Sequence, residues 1–453
     1  MEHPSARDRL RGERRTRALL AVAAVSAAVA IVATGVSVWA VTTEPVAAPT
    51  VAAEGPGPSG LTLHRQAGSP ERTVDYSFGH TIGSTVPSPD ARLDASMRVP
   101  FELGAAATAF RVHLRNWRFD TEEVFTAPVT VTGLAVGAQE PAAPGGEAAS
   151  ADADGVGPPA ITSLTGSLSS GAVAIADTRN LPAEGLVTDW ILPEQLELEA
   201  HTSYLLAVGF TTPAGSTLAT TPGLSWIDAD AGSGRAADAG VVGTPRSSSY
   251  FDVWIEYRVA AEVPVLVSVG HSLNAPGSYD ETAFPTRGQQ TAWPQQWALS
   301  NDAAAITFAS PGAQTPVFTP TAQKWNEYGD IDPDVVTLWT ASNDIAHGRP
   351  LGDIQRDWSA ILSRVRQLWP EARVYAMTEP PRGLTGGAEQ TRLDWNAWLA
   401  LVPPGVDRVI DADYALRDPA SPSRLRADVD ADGIHFSARG HSLIAGLVPV
   451  PRP

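Results

Sequence analysis

Apolar and polar positions change their period near residue 260, and the change divides the chain into two kinds of secondary structure. Before it, short stretches such as Ala109 to Arg115 alternate apolar and polar side chains, and turn residues separate them. A period of two predicts strands with one buried face, and closely spaced turns favour antiparallel pairing. Strands are predicted at 109–115, 126–136, 204–210 and 249–259. Residues 61–260 are therefore predicted to form an antiparallel β-sandwich domain.

Residues 261–450 follow a different pattern, in which short apolar runs alternate with stretches of helical period. The apolar runs predict strands buried on both faces, at 263–269, 304–309, 334–340, 373–378 and 407–411. Helices are predicted at 287–299, 352–369, 388–401 and 437–447. Strict alternation of strand and helix predicts a parallel sheet with helices on both faces.

The N-terminal residues predict a membrane anchor. Residues 18–41 carry no charge, and as a helix they would span roughly 36 Å, enough to cross a hydrocarbon core of about 30 Å. Six arginines stand among residues 1–17, which predicts a cytoplasmic tail and an extracellular body. Residues 42–60 are rich in Pro, Ala and Gly and predict a disordered linker. The alternative is a signal peptide cleaved near Ala40, which would make the protein secreted.

Composition narrows the classes of function. The chain has 453 residues, a formal net charge of −18 and no cysteine. Acidity of this size argues against nucleic-acid partners, and the absence of cysteine excludes disulfides and thiolate chemistry. No His, Asp and Glu residues stand at metal-ligand spacing, so neither a metal nor a cofactor is predicted.

Polar residues with the chemistry of a serine hydrolase stand at three places, two of them just after predicted strands and the third in a turn. Ser272 comes just after the strand 263–269, where open α/β sheets bind ligands. Asp432 and His435 are three residues apart in a Gly-containing turn, so the carboxylate can hold the imidazole while its other nitrogen accepts a proton from a serine. Asn343 follows the strand 334–340 and can offer a side-chain N–H to an oxyanion.

At these positions the sequence resembles the SGNH (GDSL-type) hydrolase family, over about residues 262–449. Four blocks carry the resemblance: Gly270-His271-Ser272-Leu273, Gly312 after the second strand, Asn343 after the third, and Asp432-Gly-Ile-His435. It implies a flavodoxin-like three-layer α/β/α domain, and it implies an oxyanion hole made by Ser272, Gly312 and Asn343. One departure is His271, where the family usually has Asp.

His271 offers a second imidazole beside the nucleophile. His435 has a carboxylate three residues upstream, whereas His271 has none nearby in sequence. We therefore expect His435 to be the base, and we expect His271→Asp to keep the fold and much of the activity. The tryptophans near the site, Trp293, Trp297, Trp325 and Trp339, fit either sugar platforms or core packing, and packing is favoured for most of them.

The sequence thus predicts a cell-surface serine esterase in which Ser272, His435 and Asp432 are catalytic. A small acyl group on carbohydrate is the favoured substrate, since the chain is acidic, surface-tethered and carries a sandwich. Two alternatives remain open. One is a lipase or thioesterase of the same family. The other is a degenerate module that binds envelope glycan, for which the His271 departure is the only support.

Overall fold

The computed structural model describes residues 71–140, 166–169, 172–229, 232–240, 243–275 and 292–451. All of them fall within one compact unit of the chain. The predicted anchor at 18–41 and linker at 42–60 lie outside the described residues. No helix within the described ranges combines the length and apolar character needed to cross a membrane.

The N-terminal half of the described chain is built from antiparallel strands. They are β1 Glu71–Ser77, β2 Gly83–Thr85, β3 Leu93–Glu102, β4 Ala109–Arg115, β5 Trp117–Arg118, β6 Glu123–Val124, β7 Thr130–Ala138, β8 Val173–Ala176, β9 Arg179–Asn180, β10 Leu186–Val187, β11 Ser203–Thr212, β12 Leu218–Asp228, β13 Thr244–Tyr250 and β14 Asp252–Ala260. One sheet has the order β1-β14-β4-β10, and a larger one has the order β13-β12-β3-β11-β7-β8. The predicted β-rich region is confirmed, while its description as a sandwich domain ending at residue 260 stays a prediction.

The strand predicted at 249–259 is wrong in one respect, because the chain breaks it at Phe251. The φ of Phe251 is 69°, a left-handed backbone conformation that ends β13 and starts β14. β13 pairs with β12 in the larger sheet, whereas β14 pairs with β1 and β4 in the smaller one. The alternation of side chains continues through the break, so the pattern alone could not reveal that the chain changes sheets there.

The described residues of the C-terminal half contain five parallel strands, all of them predicted. They are β15 Val265–Gly270, β16 Ala304–Ala309, β17 Val335–Trp339, β18 Arg373–Met377 and β19 Arg408–Ile410. Their order is β16-β15-β17-β18-β19, so the first strand lies between the second and the third. This is the flavodoxin-like order, and the α/β fold class is confirmed.

Helices cover both faces of the parallel sheet in the described chain. They are α1 Trp293–Ser300, α2 Ser342–Ala346, α3 Leu351–Leu368, α4 Gly386–Leu399, α5 Ala412–Leu416 and α6 Ala438–Leu447. Leu266 packs with Trp293 of α1, whereas its neighbour Val267 belongs to the cluster that contains Trp358 of α3. Successive side chains of a strand point to opposite faces, so β15 is buried on both. The sequence did not predict α2, α5 or the hairpin of β20 Arg417–Asp418 and β21 Ser421–Leu425.

The strand order also decides where polar residues can meet. From β15 the chain goes to β16 on one side and then to β17 on the other side. The carboxyl ends of β15 and β17 therefore flank the point where the connections diverge, which is where ligands bind in open α/β sheets. Ser272 follows β15 and Asn343 follows β17.

Candidate active site

Ser272 lies on a tight turn that leaves the end of β15. A Cβ at Gly270 would stand 2.3 Å from the Trp339 carbonyl oxygen and 2.5 Å from the side-chain Nδ2 of Asn274, so only glycine fits. The backbone N–H groups of Asn274 and Ala275 both donate to the His271 carbonyl, at 2.9 and 3.0 Å. These contacts fix the turn and leave Ser272 8% exposed.

The C-terminal turn brings His435 to this serine. Asp432 Oδ1 accepts hydrogen bonds from the backbone nitrogens of Ile434 at 3.0 Å and His435 at 2.8 Å. Its Oδ2 lies 2.8 Å from His435 Nδ1, and His435 Nε2 lies 2.9 Å from Ser272 Oγ. The structure therefore places the three predicted side chains in one continuous chain of contacts.

The protonation of Asp432 follows from these contacts. Burial by itself would raise the pKa of Asp432, but hydrogen bonds from the side chain and backbone of His435 outweigh it and lower the pKa to about 2. The carboxylate is thus ionised at neutral pH and stabilises a proton on His435 Nδ1. With that nitrogen protonated, His435 Nε2 is able to accept a proton from Ser272.

Asn343 stands in the first turn of α2, and its amide is oriented by two contacts. Its Nδ2 donates to the Ala313 carbonyl at 2.9 Å, and its Oδ1 accepts from Arg382 Nη1 at 3.1 Å. An amide nitrogen has two hydrogens, so one N–H of Asn343 is left to point elsewhere. Arg382 also donates to Ser342 Oγ at 3.0 Å.

Gly312 belongs to the turn that follows β16. Its φ of 77° is in the left-handed region that favours glycine. The turn is tied to the nucleophile strand, because the backbone nitrogen of Ser310 donates to the Gly270 carbonyl at 3.1 Å. Asn343 holds the same turn through the Ala313 carbonyl, so the predicted oxyanion residues belong to connected loops.

Asp344 locks the loop of Gly312 and the start of α2 together. It is fully buried, and its two oxygens accept from the backbone nitrogen and the hydroxyl of Thr315, at 2.9 and 2.8 Å. Arg349 forms an ion pair with the same carboxylate. No role was predicted from the sequence for Asp344 or Arg382. Each is a polar residue shortly after a parallel strand, which is the signal that identified Asn343.

A cavity of about 550 Å³ lies beside Asp432 and Arg382, and its lining does not include Ser272 or His435. Its lining is rich in charge and includes Arg382, Arg424, Asp418, Asp430 and Asp432. The four tryptophans considered as sugar platforms do not line it, since all four are buried in the hydrophobic clusters. Within the described residues no cluster of His, Asp and Glu could hold a metal ion.

Residues 269–443 match the profile of the GDSL-like lipase/acylhydrolase family. This stretch is a GDSL-like domain. The match covers the nucleophile turn, the loops of Gly312 and Asn343, and the Asp432–His435 turn, so the resemblance drawn from the four blocks is confirmed for this domain. The family match supports the prediction that the protein is a hydrolase. No curated protein sequence matches the chain.

Among solved structures, a family two carbohydrate esterase from Clostridium thermocellum, in complex with cellohexaose, is 12% identical, with a TM-score of 0.34, and the match covers 81% of this chain and 95% of that one. The family two carbohydrate esterase of Cellvibrio japonicus is 9% identical, with a TM-score of 0.32 and coverage of 83% and 96%. A GDSL-like lipase from Bacteroides thetaiotaomicron is 12% identical, with a TM-score of 0.31 and coverage of 40% and 84%. Likenesses this weak identify neither activity nor substrate.

Proposed function

We propose that the GDSL-like domain hydrolyses carboxylic esters with Ser272 as nucleophile, His435 as general base and acid, and Asp432 as the residue that orients His435. One observation carries the proposal. Ser272 Oγ lies 2.9 Å from His435 Nε2, and His435 Nδ1 lies 2.8 Å from Asp432 Oδ2. Both distances are hydrogen-bond distances. A serine hydroxyl at the second nitrogen of a carboxylate-bound histidine favours a catalytic role over a degenerate glycan-binding module.

The proposed reaction has two halves. Ser272 Oγ attacks the acyl carbonyl carbon while His435 Nε2 takes the hydroxyl proton, and His435 then returns that proton to the leaving alcohol. Water, deprotonated by the same nitrogen, then attacks the acyl carbonyl carbon. The bond from that carbon to Ser272 Oγ breaks, the acid is released, and His435 returns the proton to Ser272 Oγ. The ionised Asp432 stabilises the charged imidazole in both halves.

The negative charge on the carbonyl oxygen needs donors that already face it. We assign this role to the backbone N–H groups of Ser272 and Gly312 and to the second N–H of Asn343. The contacts of Asn343 with Ala313 and Arg382 keep its oxygen turned away and its nitrogen available. Donors held in place in this way need no rearrangement during the reaction, which is why they lower the barrier.

The favoured substrate is a small acyl group, such as acetyl, on carbohydrate. The charged lining of the cavity beside Asp432 supports a polar, hydroxyl-rich leaving group over a long acyl chain. A lipase or thioesterase activity is the second candidate within the family. The carbohydrate esterases named above give no further support, because their likeness to this chain is too low.

A panel of acetyl, butyryl and long-chain esters, together with an acetylated oligosaccharide, tests the substrate. We expect the wild type to have its highest kcat/KM with acetyl esters, and we expect Ser272→Ala to hydrolyse none of the esters. A fluorophosphonate should label Ser272 in the wild type, as peptide mass analysis would show. An intact protein that hydrolyses none of these esters and leaves Ser272 unlabelled would contradict the proposal.

We also propose that residues 18–41 anchor the protein in the membrane, with the GDSL-like domain outside the cell. The support is the uncharged length of this segment and the six arginines before it. The intact mass of the native protein tests the anchor. A mature N-terminus near Val41 would show that the segment is a cleaved signal peptide.

A further inference from the structure

Another histidine–carboxylate pair includes a residue of the nucleophile turn. His271 and Glu379 have side chains that are each only 1% exposed, and His271 Nε2 lies 3.6 Å from Glu379 Oε2. Neither of these two atoms has a hydrogen-bond partner among the described residues. Buried polar atoms are rarely left in this state, so two of them facing each other call for an explanation.

Glu379 links this pair to the loop that carries Asn343. Its Oε1 accepts a hydrogen bond from the backbone nitrogen of Ala341, at 2.9 Å, two residues before Asn343. The backbone of Glu379 is itself fixed, since its nitrogen donates to Asn396 Oδ1 at 2.8 Å and its carbonyl accepts from Asn396 and Arg392, both at 2.9 Å. One carboxylate therefore faces both the nucleophile turn and the Asn343 loop.

The proton on His271 can be assigned from its other ring nitrogen. His271 Nδ1 accepts a hydrogen bond from the backbone nitrogen of Leu273 at 3.3 Å. In the neutral ring the proton is then on Nε2, the atom that faces Glu379. Both oxygens of Glu379 thus face N–H groups, one from Ala341 and one from His271. A carboxylate can accept from both, whereas an amide could accept from only one and would turn its own N–H groups against the other.

We propose that His271 and Glu379 are a positioning pair that keeps the loops of Ser272 and Asn343 in fixed positions relative to each other. This inference rests on the proposed esterase function. The pair acts through the loops, without touching substrate: Glu379 Oε1 accepts a hydrogen bond from the nitrogen of Ala341, and Glu379 Oε2 faces His271 Nε2 at 3.6 Å. A shift of either loop would misalign the nucleophile and the oxyanion donor, and small misplacements are costly in catalysis.

The pairing changes the expectation for His271→Asp. From sequence alone an Asp at this position restores the usual residue of the family. In this structure it would place two acceptor-only carboxylates face to face in a buried site, which is unfavourable. The double variant His271→Asp/Glu379→Gln removes the conflict, because the Gln oxygen can accept from Ala341 while its N–H groups donate to the new Asp.

The test is a double-mutant cycle of His271→Asp, Glu379→Gln and the double variant, with kcat and KM measured on an acetyl ester. We expect each single change to lower kcat by about tenfold while KM stays within about twofold, and we expect the double variant to recover to within about threefold of the wild type. Ser272 labelling by a fluorophosphonate should follow the same order of rates.

The pair of His80 and Asp252 provides a matched control. His80 Nδ1 also lies 3.6 Å from Asp252 Oδ1, and both side chains are buried, but this pair belongs to the β-rich region. Asp252→Asn should lower Tm and leave kcat unchanged. A double variant no better than the product of the two single effects would overturn the inference. Single variants whose kcat returns to the wild-type value once they are fully folded would do the same.

Failure of the proposed function gives a different result. In that case the wild type would hydrolyse no ester, and Ser272→Ala would behave like the wild type. The coupling between His271 and Glu379 would still be measurable in Tm across the same four proteins. Additive Tm changes would overturn the pairing as well.

Discussion

Charged side chains are arranged differently in the antiparallel and the parallel parts of this protein. On the smaller antiparallel sheet they pair across strands, since Arg111 faces Glu256 and Arg115 faces Asp252 in register. Arg111 donates to both oxygens of Glu256, at 2.7 and 2.9 Å. Side chains directly opposite in a sheet satisfy one another, so these pairs stabilise the sheet and leave little free to act on a ligand.

The same sheet holds a histidine–carboxylate contact as short as the one in the candidate site. His113 Nε2 lies 2.7 Å from Glu256 Oε2, and the ring of His113 stacks on Trp254. At the carboxyl end of the parallel sheet, His435 has a similar contact with Asp432, but its other nitrogen reaches Ser272. A short histidine–carboxylate contact is therefore no sign of a site in this protein. What distinguishes the site is that a loop at a strand end brings a nucleophile to the free nitrogen.

The largest expected difference between the two regions is between these histidines. His435→Ala removes the base and should lower kcat by about 10²- to 10⁴-fold. His113→Ala removes only a cross-strand contact and should keep kcat within about twofold of the wild type. Steady-state kinetics on an acetyl ester, with circular dichroism to verify folding, decides the point. Loss of activity in His113→Ala with activity kept in His435→Ala would reverse the comparison.

Two buried asparagines give the next largest contrast. Asn343→Ala removes the proposed oxyanion donor and should lower kcat by about 10²- to 10³-fold with little change in KM. Asn116 in the β-rich region is also buried, and its side chain hydrogen-bonds to backbone groups of Phe125, Thr217 and Ala219. Asn116→Ala should lower Tm and leave kcat unchanged. An effect of Asn343→Ala confined to KM would rule out its role in the transition state.

Substitution of an arginine should also lower kcat more at the candidate site than in the β-rich region, but by a smaller factor than for the asparagines. Arg382→Met frees the Asn343 amide to rotate, and the loss of this charged hydrogen bond should lower kcat by about tenfold. Arg98→Met is the control, since Arg98 is buried in the β-rich region and donates to the Gly166 carbonyl at 2.7 Å. We expect Arg98→Met to affect only Tm. Equal kcat in both variants would show that Arg382 does not orient Asn343.

The smallest effect concerns stability in acid. The pKa of Asp432 is lowered from 3.8 to about 2, so its contribution to the free energy of unfolding is complete above about pH 5 and is lost as the pH falls through about 2. The contribution is modest, because the Asp432 side chain is 42% exposed and solvent screens it. Urea unfolding between pH 5 and pH 2 should show a shallower decline for Asp432→Asn than for the wild type. Parallel curves would contradict the lowered pKa.

The sequence by itself determined the elements that depend on local pattern. Apolar runs predicted all five parallel strands, because a strand buried on both faces needs apolar residues throughout. The turn residues and motif spacing located Ser272, Asn343, Asp432 and His435, since each follows a strand or lies in a Gly-containing turn. The Asp432–His435 contact is also local, as three residues in a tight turn bring carboxylate and imidazole together.

Only the tertiary structure decided which distant groups face one another. The change of sheet at Phe251, the orientation of Asn343 by Arg382, and the pairing of His271 with Glu379 all join segments far apart in the chain. Burying a polar side chain costs free energy unless another group satisfies it. The order of strands in the sheet decides which group that is. His271 therefore looked like an isolated departure in the sequence, whereas the fold gives it a carboxylate of its own.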